Sequence, residues 1–280
     1  LGPTYMNAAI DFHDSWQGKA DGRIKAFFGP HSMYLCGPEF LREATEEALK
    51  RKTGIHIHLS ESRQEVADCI EKYGKSPVQH LADLGMFACE TAAAHCVYVS
   101  ANDIELLRKH NVSVLNNPTS NMKLANGFAP IDALLKKGVN VALGTDGSAS
   151  NNNVNMFEEM HLAALVNKAV TKDAESVPAQ QVLRMATING AKALGLENEI
   201  GSLEVGKRAD LILLDANKPH YYPRHNPVSS IAYSAQAADV STVLVNGKVL
   251  MENYEVKTID VDESMREGER MAFDLVRRAS

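Results

Sequence analysis

The sequence predicts an α/β fold organised as a (β/α)8 barrel, of which five units can be read, followed by a small all-β unit. Three observations predict it. Short β-rich runs alternate with helical patterns along the first two thirds of the chain, and strands that repeat with one crossover helix between them must lie parallel, covered by those helices. Polar residues gather after successive apolar runs, at His31, His58, His95, Asn117 and Asp146, as they do on the carboxyl-terminal rim of a barrel, where the loops converge. No G-x-G-x-x-G follows a strand, as a dinucleotide-binding doubly wound sheet requires.

Taken in order, the first unit is a strand over Ile24–Phe28 and a helix over Glu39–Lys52. The second pairs Gly54–Leu59 with Arg63–Lys72, and the third Ala92–Val97 with Asn102–His110. The fourth is Val112–Leu115, a polar loop and a helix over Ile131–Lys137; the fifth is Val139–Leu143, a second polar loop and a helix over Val154–Ala169. A helical stretch follows over Ala179–Leu194. The pattern then changes to strands within Gly201–Asp215 and Val243–Leu250, with Asn246-Gly247 a hairpin turn signal, and an amphipathic helix near Glu263–Arg278 closes the chain. A closed barrel takes about 250 residues, so the first three units are expected to be missing. Residues 1–200 read as the carboxyl-terminal part of the barrel, 201–255 as part of a small β-sandwich and 256–280 as the terminal helix.

At 280 residues and 45% hydrophobic content the chain can bury a substantial core. Its 29 Lys and Arg against 35 Asp and Glu give a net charge of −6, and no basic run tracks a phosphate backbone, which argues against a nucleic-acid partner. No apolar run is long enough for a membrane span. Cys36, Cys69, Cys89 and Cys96 show no C-x-x-C spacing and read as buried thiols of a cytoplasmic protein.

The chemistry concentrates in Gly54-Ile55-His56-Ile57-His58-Leu59-Ser60-Glu61. Side chains alternate along a strand, so His56 and His58 share a face, with His58 nearer the rim and placed to bind an ion. Spacing alone equally allows a bidentate H-x-H pair or two satisfied core histidines. Glu61, at the strand-to-helix turn, is positioned for proton transfer, although the helix dipole also favours an acid there. Asp146 follows Val139–Leu143 within Gly144-Thr145-Asp146-Gly147-Ser148-Ala149-Ser150-Asn151; it suits a carboxylate ligand or general base as well as a plain turn. His95 after Thr91-Ala92-Ala93-Ala94 is either a polarising imidazole or a hydrogen-bonded core residue. His31 in Gly29-Pro30-His31-Ser32 is a substrate contact or a surface-loop histidine. Asn117-Pro118-Thr119-Ser120-Asn121 reads as a rim support through side-chain turns, without assigned chemistry.

With those residues in place, the chain resembles the amidohydrolase superfamily, and within it the 5-methylthioadenosine/S-adenosylhomocysteine deaminases, beside chlorohydrolases and guanine deaminases. The resemblance runs through Gly29-Pro30-His31-Ser32, His56-Ile57-His58-Leu59-Ser60-Glu61, Ala94-His95-Cys96, Asn117–Leu124, Gly144–Asn151, Met185-Ala186-Thr187 with Gly190-Ala191, and Gly201–Asp210. It implies hydrolytic deamination of an adenine ring with one divalent metal ion, zinc before iron or manganese, a purine nucleoside as substrate and a homo-oligomer. It implies His58 and Asp146 as metal ligands and Glu61 as the proton relay to the purine ring. His95 would lie near the attacking water, and His31 and Ser150, with Glu61 and Asp146, would contact substrate. It also implies two further ligands in an H-x-H after the first barrel strand. Nothing before His31 supplies that pair, since His13 stands alone in Asp11-Phe12-His13-Asp14, so the sequence reads as the carboxyl-terminal part of a longer enzyme.

Overall fold

The structure, a computed structural model, describes residues 3–279. Four strands form a parallel sheet in sequential order: β1 (Ile55–Leu59), β2 (Thr91–His95), β3 (Ser113–Asn116) and β4 (Val141–Leu143). Ile55 pairs with Thr91 and Leu59 with His95, and Asn116 pairs with Leu143, so the carboxyl ends of the strands stay level. The crossovers contain helices Arg63–Tyr73, Ala101–Lys109 and Ile131–Lys136, with Met156–Thr171 after β4. Ile55, Ile57 and Leu59 are fully buried with Leu41, Leu81, Leu107 and Leu134, which fixes the covered face of the sheet. Among the described residues the sheet stays open, as an arc of four strands and not a closed barrel.

The strand expected over Ile24–Phe28 does not form. Residues 28–32 run beside β1, but only isolated bridges join them, Phe28 to Ile55 and Ser32 to His58. Proline explains the break. Phe28 donates to the Gly54 carbonyl (3.0 Å) and accepts from the His56 amide (2.9 Å); the next ladder donor would be Pro30, which has no N–H. The pairing slips by one residue, and the His58 amide bonds the His31 carbonyl instead (3.0 Å). A bulge therefore sits beside the end of β1.

The helices start where their caps dictate. Ser62 accepts from the Glu65 amide, Ser100 forms a complete capping box with Asp103, and Asn155 accepts from the Phe157 amide. The two polar loops expected after β3 and β4 contain short helices, Pro118–Lys123 and Ser148–Asn151; Pro118 is at home in a first helical turn, where no amide partner is needed. The expected helix over Ala179–Leu194 divides into Ala179–Met185 and Ile188–Ala193. Between them Thr187 leaves helical geometry (φ −128°, ψ −99°) while its hydroxyl donates to the Leu183 carbonyl (2.6 Å).

A second, antiparallel sheet follows: β5 (Leu211–Leu214), β6 (Val240–Val245), β7 (Lys248–Glu252) and β8 (Glu255–Val256). Asn246 and Gly247 turn the β6–β7 hairpin with φ of 49° and 75°, both left-handed, as a two-residue type I′ turn requires. Residues 201–210 lie outside the sheet. At Gly201 (φ 87°) a Cβ would meet Ala191 Cβ at 2.7 Å, so this turn packs directly against the helix before it. The terminal helix spans Val261–Ala279, slightly longer than expected, with Met265, Phe273 and Leu275 exposed. No described helix is long and apolar enough to cross a membrane, and Cys36, Cys69, Cys89 and Cys96 are free thiols.

Asp239 anchors β6 at its start. Its carboxylate accepts from the Gln236 amide (2.8 Å), His220 Nε2 (2.8 Å), Tyr221 Oη (3.0 Å) and Lys218 Nζ (3.0 Å). Burial pushes this carboxyl up, but the Gln236 amide, His220, Lys218 and Tyr221 together outweigh it and hold the group well below the usual carboxylate range. Its stabilisation is therefore complete above the ordinary Asp pKa and is lost as pH falls toward the lower folded value. We expect Asp239→Asn to cost about 2–3 kcal/mol at neutral pH and to flatten the loss of stability in acid, read from urea unfolding over a pH series.

Candidate active site

The site is built at the carboxyl ends of the parallel strands. The bulge forced by Pro30 places the His31 carbonyl 2.7 Å from His58 Nδ1. A carbonyl only accepts, so Nδ1 carries the proton and Nε2 is left as a lone pair, the state in which a histidine binds a metal. His58 lies in a row of imidazoles: its ring centroid is 4.4 Å from that of His31, 5.4 Å from His95 and 6.4 Å from His56, each pair stacked. Burial pushes the pKa of His31 down, and His58 adds to this against a smaller opposing effect of Glu61. His56 is lowered by burial, then by His58 and His95, with Asp146 opposing. Both rings are thereby biased toward the neutral form.

Glu61 is aimed by Glu65. Ser60 takes a left-handed φ of 50°, and the turn is held by the Glu65 carboxylate, which accepts from the Ser60 amide (2.9 Å) and the Glu61 amide (2.7 Å). Glu65 is only 4% exposed. Burial raises its pKa, backbone hydrogen bonds from Glu61, Ser60 and Ser62 oppose this, and the Glu61 charge adds to the rise. Glu61 Oε1 accepts from Asn126 Nδ2 (2.9 Å), and Oε2 lies 3.7 Å from His95 Nε2. Simple alternation would send His95 to the covered face with Ala93 and its neighbour Leu59. Its φ of 74° breaks the alternation, and the ring lies against His58. His95 Nδ1 is 2.8 Å from Asn121 Oδ1.

Asp146 follows β4 with φ 61°. Its carboxylate accepts from Ser120 Oγ (2.7 Å) and the Gly147 amide (2.7 Å), and the Ser150 hydroxyl adds a further hydrogen bond. Burial pushes this carboxyl up; Ser120, Gly147, His95 and Ser150 together bring it below the ordinary Asp value. The Asn117 side chain bridges the ends of β3 and β4, its nitrogen donating to the Leu115 carbonyl (2.7 Å) and its oxygen accepting from the Asp146 amide (3.1 Å). That bridge needs Gly144, because a Cβ there would lie 2.8 Å from the Asn117 amide head. Beneath it the buried Glu159 accepts from the Thr119 amide (3.1 Å) and Asn151 Nδ2 (2.7 Å), tying the loops after β3 and β4 together.

The structure thus brings His31, His56, His58, Glu61 and His95 to one end of the sheet, with Asp146 and Ser150 at the same end, where the Asp146 charge is felt by His56 and His95. Asn117–Asn121, read from sequence as rim support, supplies three of the residues that hold this group: Asn117, Ser120 and Asn121. Glu65, Asn126 and Glu159 were not singled out. For Glu65 the Ser62-x-x-Glu65 capping pattern was an available signal; Asn126 and Glu159 act across 65 and 40 residues of sequence and leave none. His58, with Nδ1 turned to the His31 carbonyl, and Asp146, with its lowered pKa, are of donor types that a metal can use. They are an incomplete set, because a zinc site takes three or four protein ligands and no group of three such side chains arranged for a metal occurs among the described residues. Two substitutions probe the supports. Gly144→Ala should destabilise the chain by about 1–3 kcal/mol by displacing Asn117, and Glu65→Gln by a similar ~1–3 kcal/mol by turning an amide N–H₂ against a backbone donor, both read from denaturant midpoints.

Comparison with known proteins places these features in context. The chain is 57% identical over 266 residues to a 5-methylthioadenosine/S-adenosylhomocysteine deaminase of Thermoanaerobacter pseudethanolicus, covering 95% of this chain and 62% of that protein. It is 50% identical over 269 residues to a 5'-deoxyadenosine deaminase of Methanosarcina acetivorans, covering 96% of this chain and again 62% of the relative. The chain therefore spans less than two thirds of the length of these relatives. A crystal structure of an adenosine deaminase from Xanthomonas campestris with bound zinc superposes with a TM-score of 0.93 at 36% identity, over 98% of this chain and 62% of that one. Residues 3–250 match the Amidohydrolase family, and with most of its length inside that match this chain belongs to the family.

Proposed function

We propose that this chain forms part of the active site of a metal-dependent deaminase that removes ammonia from the adenine ring of 5′-modified adenosines, 5-methylthioadenosine and S-adenosylhomocysteine first. The observation that carries the reading is the pairing of Glu61 with His95 at 3.7 Å, directly beside the His58 ring and at the same strand ends as Asp146. The relatives' names support the substrate class: each acts on an adenosine whose 5′ position is altered. In this reading the four parallel strands are an arc of a (β/α)8 barrel comprising residues 1–200, with 201–255 contributing to a small β-sandwich and 256–280 the closing helix.

His58 and Asp146 would supply two ligands to one divalent ion, zinc in the first instance, and in a protein of the relatives' length the remaining ligands come from outside residues 1–280. Such an ion, when bound, lowers the pKa of a water to about 7 and so makes a nucleophile available at neutral pH. The chain's own groups manage the protons. Water adds at C6 of the adenine ring and the C6–N bond breaks, giving the inosine analogue and ammonia. Asp146, held ionised by Ser120 and Gly147, accepts a proton from the attacking water and passes it to the departing amino group; Glu61 delivers one to the ring nitrogen and recovers one from the new C6 hydroxyl; His95 would lie beside the attacking oxygen. His31 and Ser150, at the edges of the site, contact the substrate.

Ammonia release from the whole protein, measured over 5-methylthioadenosine, S-adenosylhomocysteine, 5′-deoxyadenosine, adenosine, guanine and a chlorotriazine, tests the assignment. Turnover of the 5′-modified adenosines is expected, and loss of activity on chelation with recovery on adding zinc. Silence on every adenosine would overturn the substrate class. Glu61→Gln should lower kcat by about 10²–10⁴-fold, the usual range for removal of a general acid or base, with KM little changed.

A further inference from the structure

We infer that Asn121 is a positioning residue that locks His95 in the tautomer protonated on Nδ1, so that the Nε2 lone pair faces Glu61 and the mouth of the site. In its bearing on catalysis the inference rests on the deaminase reading; as a statement about the histidine it stands apart from it.

Both side chains are only 1% exposed, so neither can exchange partners with bulk water. Asn121 Oδ1 lies 2.8 Å from His95 Nδ1. An amide oxygen only accepts, so the bond exists only if Nδ1 carries the hydrogen; a neutral imidazole then presents Nε2 as an acceptor. Asn121 Nδ2 is buried without a partner among the described residues. The bond to His95 is therefore the one hydrogen bond of that side chain there, and amide orientation and tautomer are set together.

The backbone that carries Asn121 also carries the support of Glu61. The Asn121 amide bonds the Asn117 carbonyl (2.9 Å), and the Asn121 carbonyl accepts from the amides of Asn126 (2.8 Å) and Gly127 (3.3 Å). Asn126 in turn donates its side chain to Glu61 Oε1 (2.9 Å). One turn thus orients both members of the pair: Asn121 fixes which nitrogen of His95 is bare, and Asn126 fixes which oxygen of Glu61 faces it. His95 Nε2 and Glu61 Oε2 are 3.7 Å apart, too far for a direct hydrogen bond. Two acceptors at that separation create a place for one shared donor, a water or the amino group of a bound substrate.

Long-range proton–nitrogen NMR on the whole protein labelled with 15N-histidine reads the tautomer without metal or turnover. The His95 signal is assigned by its loss in His95→Gln, and spectra are taken at about pH 8.5, above the ordinary imidazole range. The wild-type ring should be protonated on Nδ1 alone. Asn121→Asp, which keeps an acceptor oxygen, should retain that state; Asn121→Leu should convert it to the Nε2–H form. A wild-type ring protonated on Nε2, or on both nitrogens, overturns the inference, as does an unchanged tautomer in Asn121→Leu. Kinetically, Asn121→Leu should lose about 10²–10⁴-fold in kcat with little change in KM, and Asn121→Asp much less. If the wild-type protein released no ammonia from any adenosine, the deaminase reading would fall while the tautomer result stood on its own.

Discussion

The chain at the ends of β1, β2 and β4 is held in a conformation that the residues there do not favour. Ser60, His95 and Asp146, at or just beyond the ends of β1, β2 and β4, all take a left-handed φ, between 50° and 74°, a region that non-glycine residues rarely occupy. Such conformations persist only where the surroundings over-determine them, and each has its own restraint here. The Glu65 carboxylate grips the amides around Ser60, Asn121 grips the ring of His95, and Asn117 grips the amide of Asp146. Release of these restraints would return His95 to the covered side of the sheet and spread the polar groups that now share one mouth.

The restraints belong to a connected set of buried polar groups. Asn117, Ser120 and Asn121 lie in or beside one short helix, and Glu159 ties that helix to the loop beyond Asp146. Buried carboxylates are costly when unpaired. Glu65 and Glu159 both have pKa values raised by burial and both spend their oxygens on amide donors. Their raised pKa values work against stability once the unfolded chain can ionise, so what they contribute is the geometry of the turns they hold. The labour is divided: His58 and His95 each donate one ring N–H to an oxygen behind them and keep the other nitrogen bare, and Glu61 accepts from Asn126 on one oxygen and leaves the other toward His95.

Much of the architecture was legible in the sequence because it follows from periodicity. The alternation of apolar runs with helical patterns fixed four of the five strands to within a few residues, and Asn246-Gly247 marked its hairpin by chemistry alone. The failures had equally local causes. Pro30 broke the ladder of the first expected strand, Thr187 divided a helix, and the polar loops after β3 and β4 wound into short helices whose sequences carry no apolar stripe. Closure of the sheet was expected from a fold type, and among the described residues the sheet is an open arc.

The sequence by itself determined the parallel α/β order and the strand-end positions of His31, His58, Glu61 and Asp146, because strand alternation and strand-end loops are properties of local chain geometry; the turn of the His95 ring toward His58 runs against that alternation. Only the tertiary structure decided which of these groups share a site, which nitrogen of His58 and His95 is bare, and which oxygens hold Asp146 ionised. Those depend on hydrogen bonds between residues that lie 26 to 65 positions apart, and a partner chosen at that distance is set by packing, which no local pattern records.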